Sequence, residues 1–274
     1  MKFGWFTSGR DQAALDLFLA AYEKMETGFI PAGIAYVFCD RAPGESPWAD
    51  RLHAAVRARG VPLLTLSSRE LRAALRRRAP DAEALREAFD ARVIELVGGF
   101  AARIVVLAGY MLIVSPRLCR TFLCLNLHPA LPGGPKGTWQ EVMWETLAKG
   151  LPEAGAMLHV ATPELDAGPP VTYCRFSTRS ASLAPLWAAW EEELRTAGLG
   201  EIQAREGESQ PLFAALRAEE LRREFPLILL TLKALAEGRI HLTHEGAAVD
   251  GKLLPQGLDL TAQVEEMLAQ GADP

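Results

Sequence analysis

Asn126 and His128 close the apolar run LCLNLH, just before the proline- and glycine-rich stretch PALPGGPKG. In an extended strand residues i and i+2 project to the same side, so this amide and imidazole emerge together where the strand runs out. A carboxylate, Asp166, opens the turn segment DAGPP after the run HVATPEL. Ligands in open α/β sheets bind beyond the carboxyl ends of strands, where all three residues fall. An amide N–H can hold an oxyanion as a carbonyl becomes tetrahedral. An imidazole can carry a proton between nucleophile and leaving group near neutral pH. A carboxylate can orient that ring and favour its charged form. The trio suits acyl-type transfer. A strand-end Asn-x-His serves equally well to cap a turn, so residue chemistry leaves both readings open.

Other polar residues carry blander expectations. His159 lies inside the apolar MLHV run and reads as a hydrogen-bonded core residue. Trp139 and Trp144 are spaced unevenly for one helix face and read as half-buried packing, with a pocket roof as the alternative. Lys136 either grips an anion or is solvated on its loop. Cys39, Cys119, Cys124 and Cys174 show no C-x-x-C spacing, so neither a disulfide framework nor a metal site is expected. The formal net charge of −5 gives no global attraction to polyanions, so a nucleic-acid partner is not expected. The basic run at Arg69, Arg72, Arg76, Arg77 and Arg78 reads as a solvated helix face. The longest apolar run, residues 104–114, is too short to span a bilayer, and the opening MKFGWFTSGR lacks a secretory pattern. A cytoplasmic location without membrane contact is the expectation.

Short β-rich runs alternating with helical patterns must position these residues. Strands are expected at residues 2–6, 34–39, 63–66, 104–108 and 123–127. Helices fall between them at 13–25, 47–59, 70–78 and 82–97. The apolar character of 104–108 fits a strand buried on both faces. A helix at 138–148 and strands at 156–161 and 170–176 follow. From about residue 180 the pattern turns helical, at 183–197 and 212–237, with the polar segment 198–210 between them read as a surface loop. A short β-rich tail at 240–249 closes the readable structure. The expectation is one domain over 1–274: an α/β, Rossmann-like, mostly parallel sheet with helices on both faces.

These segments resemble the folate-dependent formyltransferase family, most of all its phosphoribosylglycinamide-formylating branch. NLHPALPGG, from Asn126, resembles the family's Asn-x-His-Pro motif, and MLHVATPELDAGPP its strand with an internal His leading into an Asp-x-Gly turn. LAGYMLIVSPRL resembles the segment lining the folate pocket, FTSGRDQAALDLF the first strand, turn and helix, and EFPLILLTLKALAEGRIHL the C-terminal helix and strand. The resemblance implies a transferase of one-carbon metabolism and purine biosynthesis. Its co-substrate would be N10-formyltetrahydrofolate and its acceptor a small-molecule amine, with no metal. Asn126 would polarise the formyl oxygen, His128 would manage proton transfer, and Asp166 would hold His128. Pterin binding would fall to Met111, Leu112 and Val114 and to the turn with Leu165, Ala167 and Gly168. Acceptor binding would fall to Gly9, Arg10, Asp11, Gln12 and Glu220.

Two departures weaken the acceptor half. The family's Gly-Ser-Asn phosphate grip is replaced by Gly9-Arg10-Asp11-Gln12, in which Asp11 would repel a phosphate. The Glu that holds the substrate's ribose aligns with Leu221, leaving Glu220 one position away on a different helix face. An amino sugar, another amine or water therefore stands as an alternative acceptor, and a non-catalytic folate-binding protein as a rival of another class. A homodimer through exposed helix faces is left open.

Overall fold

The sheet grows outward from a first strand buried on both faces. The computed structural model describes residues 1–75 and 81–271. In chain order its strands are β1 (Lys2–Thr7), β2 (Gly33–Cys39), β3 (Leu63–Thr65), β4 (Ile104–Leu107), β5 (Leu123–His128), β6 (Glu153–Val160), β7 (Pro170–Ser177), β8 (His241–Thr243), β9 (Gly246–Val249), β10 (Lys252–Leu253) and β11 (Leu258–Asp259). The helices are α1 (Gln12–Glu26), α2 (Pro47–Ala58), α3 (Ser68–Leu75), α4 (Ala82–Val97), α5 (Pro116–Thr121), α6 (Trp139–Lys149), α7 (Ala184–Thr196), α8 (Leu199–Glu206), α9 (Pro211–Ala236) and α10 (Thr261–Ala269). The main sheet runs β11-β7-β6-β5-β4-β1-β2-β3, parallel except where β6 pairs antiparallel with β5 and β7. This is the mostly parallel α/β sheet with helices on both faces anticipated above. A small antiparallel sheet, β10-β9-β8, sits beside it.

Alternation along β1 divides the core. Phe3 and Trp5 join the apolar cluster on one face, with α1, α2, α9 and α10, while Phe6 joins the other, with α4 and α5. A third cluster, holding Trp187, Trp190, Ile202 and Phe213, lies beneath α6, α7, α8 and the first half of α9. Phe213 ties α9 to α6 through ring contacts with Trp144 at 4.7 Å and Trp139 at 5.9 Å.

Three elements differ from the sequence expectation. Residues 198–210 are not an open loop: α8 and a short 3-10 turn, Gly207–Ser209, occupy the segment. Ile202 is fully buried there, and one apolar anchor is too little periodicity to reveal a helix in advance. Short α5 went unread although Ser115 caps it and Pro116 starts it. The β tail continues into β11 and α10, whose Val264 and Met267 are buried against the main cluster. Of the basic run, Arg69 is exposed and pairs with Glu45 at 3.1 Å, while Arg76, Arg77 and Arg78 lie outside the described residues.

The connection from β6 to β7 carries Asp166 and is drawn tight against β6. Val160 N–H donates to the Pro169 carbonyl at 3.0 Å, and a Cβ on Gly168 would sit 1.7 Å from the Val160 carbonyl oxygen. Only glycine fits this close approach. Gly168→Ala is therefore expected to displace the turn and destabilise the protein by about 2–4 kcal/mol, read as a lowered denaturation midpoint. Phe213→Ala should cost about 3–5 kcal/mol by loss of its buried ring. Wild-type midpoints in either variant would refute these packing assignments.

Candidate active site

The antiparallel register of β5 and β6 sets Asn126 directly opposite His159. Opposed residues in such a pair share a face, so the two side chains meet: Asn126 Nδ2 lies 3.2 Å from His159 Nε2. The proton inventory follows from the partners. His159 Nδ1 lies 3.2 Å from the Val160 carbonyl, which can only accept, so Nδ1 carries the proton. Nε2 is then bare and accepts from the Asn126 amide, which fixes the orientation of that amide. His159 is neutral in this arrangement. Burial above all, and then the nearby His128, hold its ring below the usual 6.5.

His128 follows on the same face and is also buried. Its Nε2 donates to the Pro135 carbonyl at 3.0 Å, so the proline- and glycine-rich loop sets the ring plane. Asp166 faces both rings. Its Oδ1 is 3.7 Å from His128 Nδ1 and 3.9 Å from His159 Nε2, ion-pair separations too long for hydrogen bonds. The sequence reading gave Asp166 the task of holding His128; the hydrogen bond to that ring comes instead from Pro135. Asp166 itself has φ +51°, a left-handed conformation that Asp tolerates better than most residues.

Two clefts converge here and share Leu107, Tyr110, Met111 and Asn126. The smaller, about 210 Å³, is walled by the loop between β4 and α5 and by the Asp166 turn. Met111, Leu112, Val114 and Leu165, the residues named for pterin binding by resemblance, line it together with His159. Met111, Ile113 and Leu165 are about half exposed around this cleft, a cost in water that an apolar ligand would remove. Ala167 and Gly168 do not line it. They border a separate hollow of about 330 Å³ on the far side of Asp166, with His128 and Lys136.

The larger cleft, about 440 Å³, is walled by α1 and α9. Arg10 and Asp11 line it, but Gly9 and Gln12 do not. Gly9, at φ +50°, approaches Ala49 so closely that a Cβ would lie 3.0 Å from the Ala49 Cα, and Gln12 pairs with Asp16 along α1. Asp11 caps α1, accepting from the Ala14 N–H at 3.2 Å. Glu220 is fully buried beside Arg217 and is not part of the cleft wall. Leu221 and Glu224 take that position, and Glu224 could have been found as i+3 from Leu221 on the same helical face. Trp139 lines this cleft, whereas Trp144 packs against Trp190 and Phe213.

His159 is the site residue that the sequence reading assigned to the core. It does both, being buried and hydrogen-bonded while touching Asn126. Residue 159 pairs with 126 only through strand register, which local pattern does not reveal. No group of His, Cys, Asp or Glu that could hold a metal occurs among the described residues, and the four buried cysteines are free thiols. No described helix is long and apolar enough to cross a membrane.

The neutral His159 makes a pH prediction. The unfolded ring takes up a proton as pH falls through 6.5 and the folded one resists it, so stability drops from that pH down to the lower folded value. Wild-type protein should lose melting temperature between about pH 7.5 and 5.5 more steeply than His159→Gln. Buried His53 shifts in the same direction, so some slope remains in the variant. Equal slopes would show that His159 takes up its proton in the folded protein as readily as in the unfolded chain, against a ring held neutral by burial.

Comparisons with known proteins bear on the family and the fold. A family model described as "Formyl transferase" matches residues 16–177. The phosphoribosylglycinamide formyltransferase of Escherichia coli (strain K12) is 29% identical over 172 residues, covering 62% of this chain and 66% of that relative, just under two thirds of its length. Among solved structures, the phosphoribosylglycinamide formyltransferase of Coxiella burnetii aligns at TM-score 0.61 with 19% identity, over 94% of this chain and 98% of that one. A formyltetrahydrofolate deformylase from Pseudomonas syringae pv. tomato aligns at TM-score 0.54 with 22% identity, over 90% of this chain and 65% of that one. At such identities the structural likeness speaks for the fold alone. With the family match spanning more than half of its residues, this chain belongs to the formyl transferase family.

Proposed function

We propose that the protein transfers a formyl group from N10-formyltetrahydrofolate to the amine of a small metabolite. The observation that carries this reading is the meeting of two clefts at Asn126, beside His128, His159 and Asp166. The smaller, apolar cleft suits a flat folate ring, and Met111, Leu112, Val114 and Leu165 would hold it. The bound folate supplies an activated formyl carbon. In this reading Asn126 directs its free amide N–H at the formyl oxygen and stabilises negative charge there. Its other N–H is tied to His159, so the donor is oriented before substrate arrives. His128 carries the proton released by the amine, and Asp166, close to both rings, favours positive charge as it passes. The amine lone pair forms a bond to the formyl carbon, the bond from that carbon to N10 breaks, and the proton ends on N10. The products are a formamide and tetrahydrofolate.

Phosphoribosylglycinamide is one candidate acceptor, by likeness to the curated relative. Water is a second reading, drawn from the deformylase likeness. The amine is favoured because a cleft of about 440 Å³ is far larger than a water molecule requires.

Removing one oxyanion donor by Asn126→Ala should lower kcat by about 10²–10³-fold. His128→Ala should lower it by about 10²–10⁴-fold. Turnover near the wild-type rate in either variant, measured as tetrahydrofolate release, would remove these residues from the mechanism. Asp166→Asn keeps the side-chain shape and removes the charge, and a loss of about 10²-fold is expected.

A further inference from the structure

The larger cleft presents four charged side chains among its described lining residues, and each already has a partner. Arg10 Nε donates to Asp11 Oδ2 at 3.1 Å, and its Nη1 faces Met111 Sδ at 3.3 Å. Across the cleft Arg217 Nη1 donates to Glu224 Oε1 at 2.8 Å and also to the buried Glu220. Two carboxylates thus share one guanidinium. Burial, with repulsion from Glu224, pushes the Glu220 carboxyl up to about 8, and burial raises Glu224 as well. A phosphate dianion here would meet no cation free of a carboxylate, and would face Asp11 on one wall and Glu224 on the other.

The remaining wall has a different character. The Arg217 guanidinium carbon sits over the Trp139 ring, 4.7 Å from its centre, and Leu17, Leu221, Phe225 and Ile228 complete an apolar surface. Leu221 is nearly half exposed into this space. A surface of this kind gains by burying a ring or an aliphatic chain.

Resting on the formyl-transfer reading, we propose that the acceptor is an unphosphorylated amine carried on an apolar or aromatic body. That body packs on Trp139 and Phe225, and its nitrogen reaches Asn126 and the formyl carbon. The bond changes are those given above, and only the body behind the attacking nitrogen is specified here.

The test uses the full chain with phenethylamine, phosphoribosylglycinamide and inorganic phosphate as probes. Binding is read by titration calorimetry on the protein saturated with N10-formyltetrahydrofolate, and turnover by tetrahydrofolate release. Phenethylamine is expected to bind about tenfold or more tightly than phosphoribosylglycinamide, without competition from phosphate. Trp139→Ala should weaken phenethylamine binding about tenfold and leave donor binding unchanged. Phe225→Ala, on the facing helix, should do the same and keeps the test intact if Trp139→Ala folds poorly. Equal or tighter binding of phosphoribosylglycinamide, phosphate competition, or no binding of phenethylamine overturns the inference. Phenethylamine binding without tetrahydrofolate release upholds an apolar amine as the ligand of this cleft and overturns the transfer reading.

Discussion

Asn126 can present an oriented amide only because β5 and β6 run antiparallel with residue 126 opposite residue 159. Had β6 been added to the sheet in parallel, like β4 on the other side of β5, this opposition would not arise. The Val160 carbonyl fixes the proton on His159 Nδ1, the bare Nε2 then fixes the Asn126 amide, and the amide faces the junction of two clefts. Each step depends on the one before. Burial supports the chain of contacts, since a desolvated His159 stays neutral and keeps its accepting nitrogen.

Around that contact, the carboxyl edge of the sheet divides labour between its two faces. The loop between β4 and α5 builds an apolar slot on one side, and α1 with α9 builds a wider cleft on the other. Asn126 stands at the strand end between them. His128 is held from the side by the carbonyl of Pro135, so the proline- and glycine-rich loop orients a catalytic candidate as well as connecting β5 to α6. Asp166 reaches both imidazoles from a turn drawn tight by the approach of Gly168 to Val160.

The helical addition after β7 shapes the larger cleft. α9 crosses the sheet and continues beyond it, where Phe213 and Arg217 meet Trp139 at the start of α6. The third apolar cluster, under α7 and α8, braces this extension. The wall of the larger cleft therefore rests on residues far from the chemistry. Half-buried Arg217 donates to both the buried Glu220 and Glu224, although Glu220 Oε1 keeps no hydrogen-bond partner among the described residues, and the adjoining surface is left to aromatic and aliphatic groups.

Local pattern was enough for much of this protein. Short apolar runs at β1, β2, β4 and β5 and helical patterns at α1, α2 and α4 made the parallel half of the sheet readable, because both signals are written in neighbouring residues. Asn126, His128 and Asp166 were legible as strand-end groups for the same reason. Short α5 and α8 were not, since a turn or two of helix held by one or two buried side chains carries almost no periodicity. The role of His159 and the burial of Glu220 were decided in three dimensions. A histidine in an apolar strand looks the same whether its cross-strand partner is a leucine or an asparagine, and a glutamate one position out of phase is compatible with solvent and core alike. Strand register and helix rotation settle such questions, and both are set by long-range packing that the order of residues expresses only once the chain has folded.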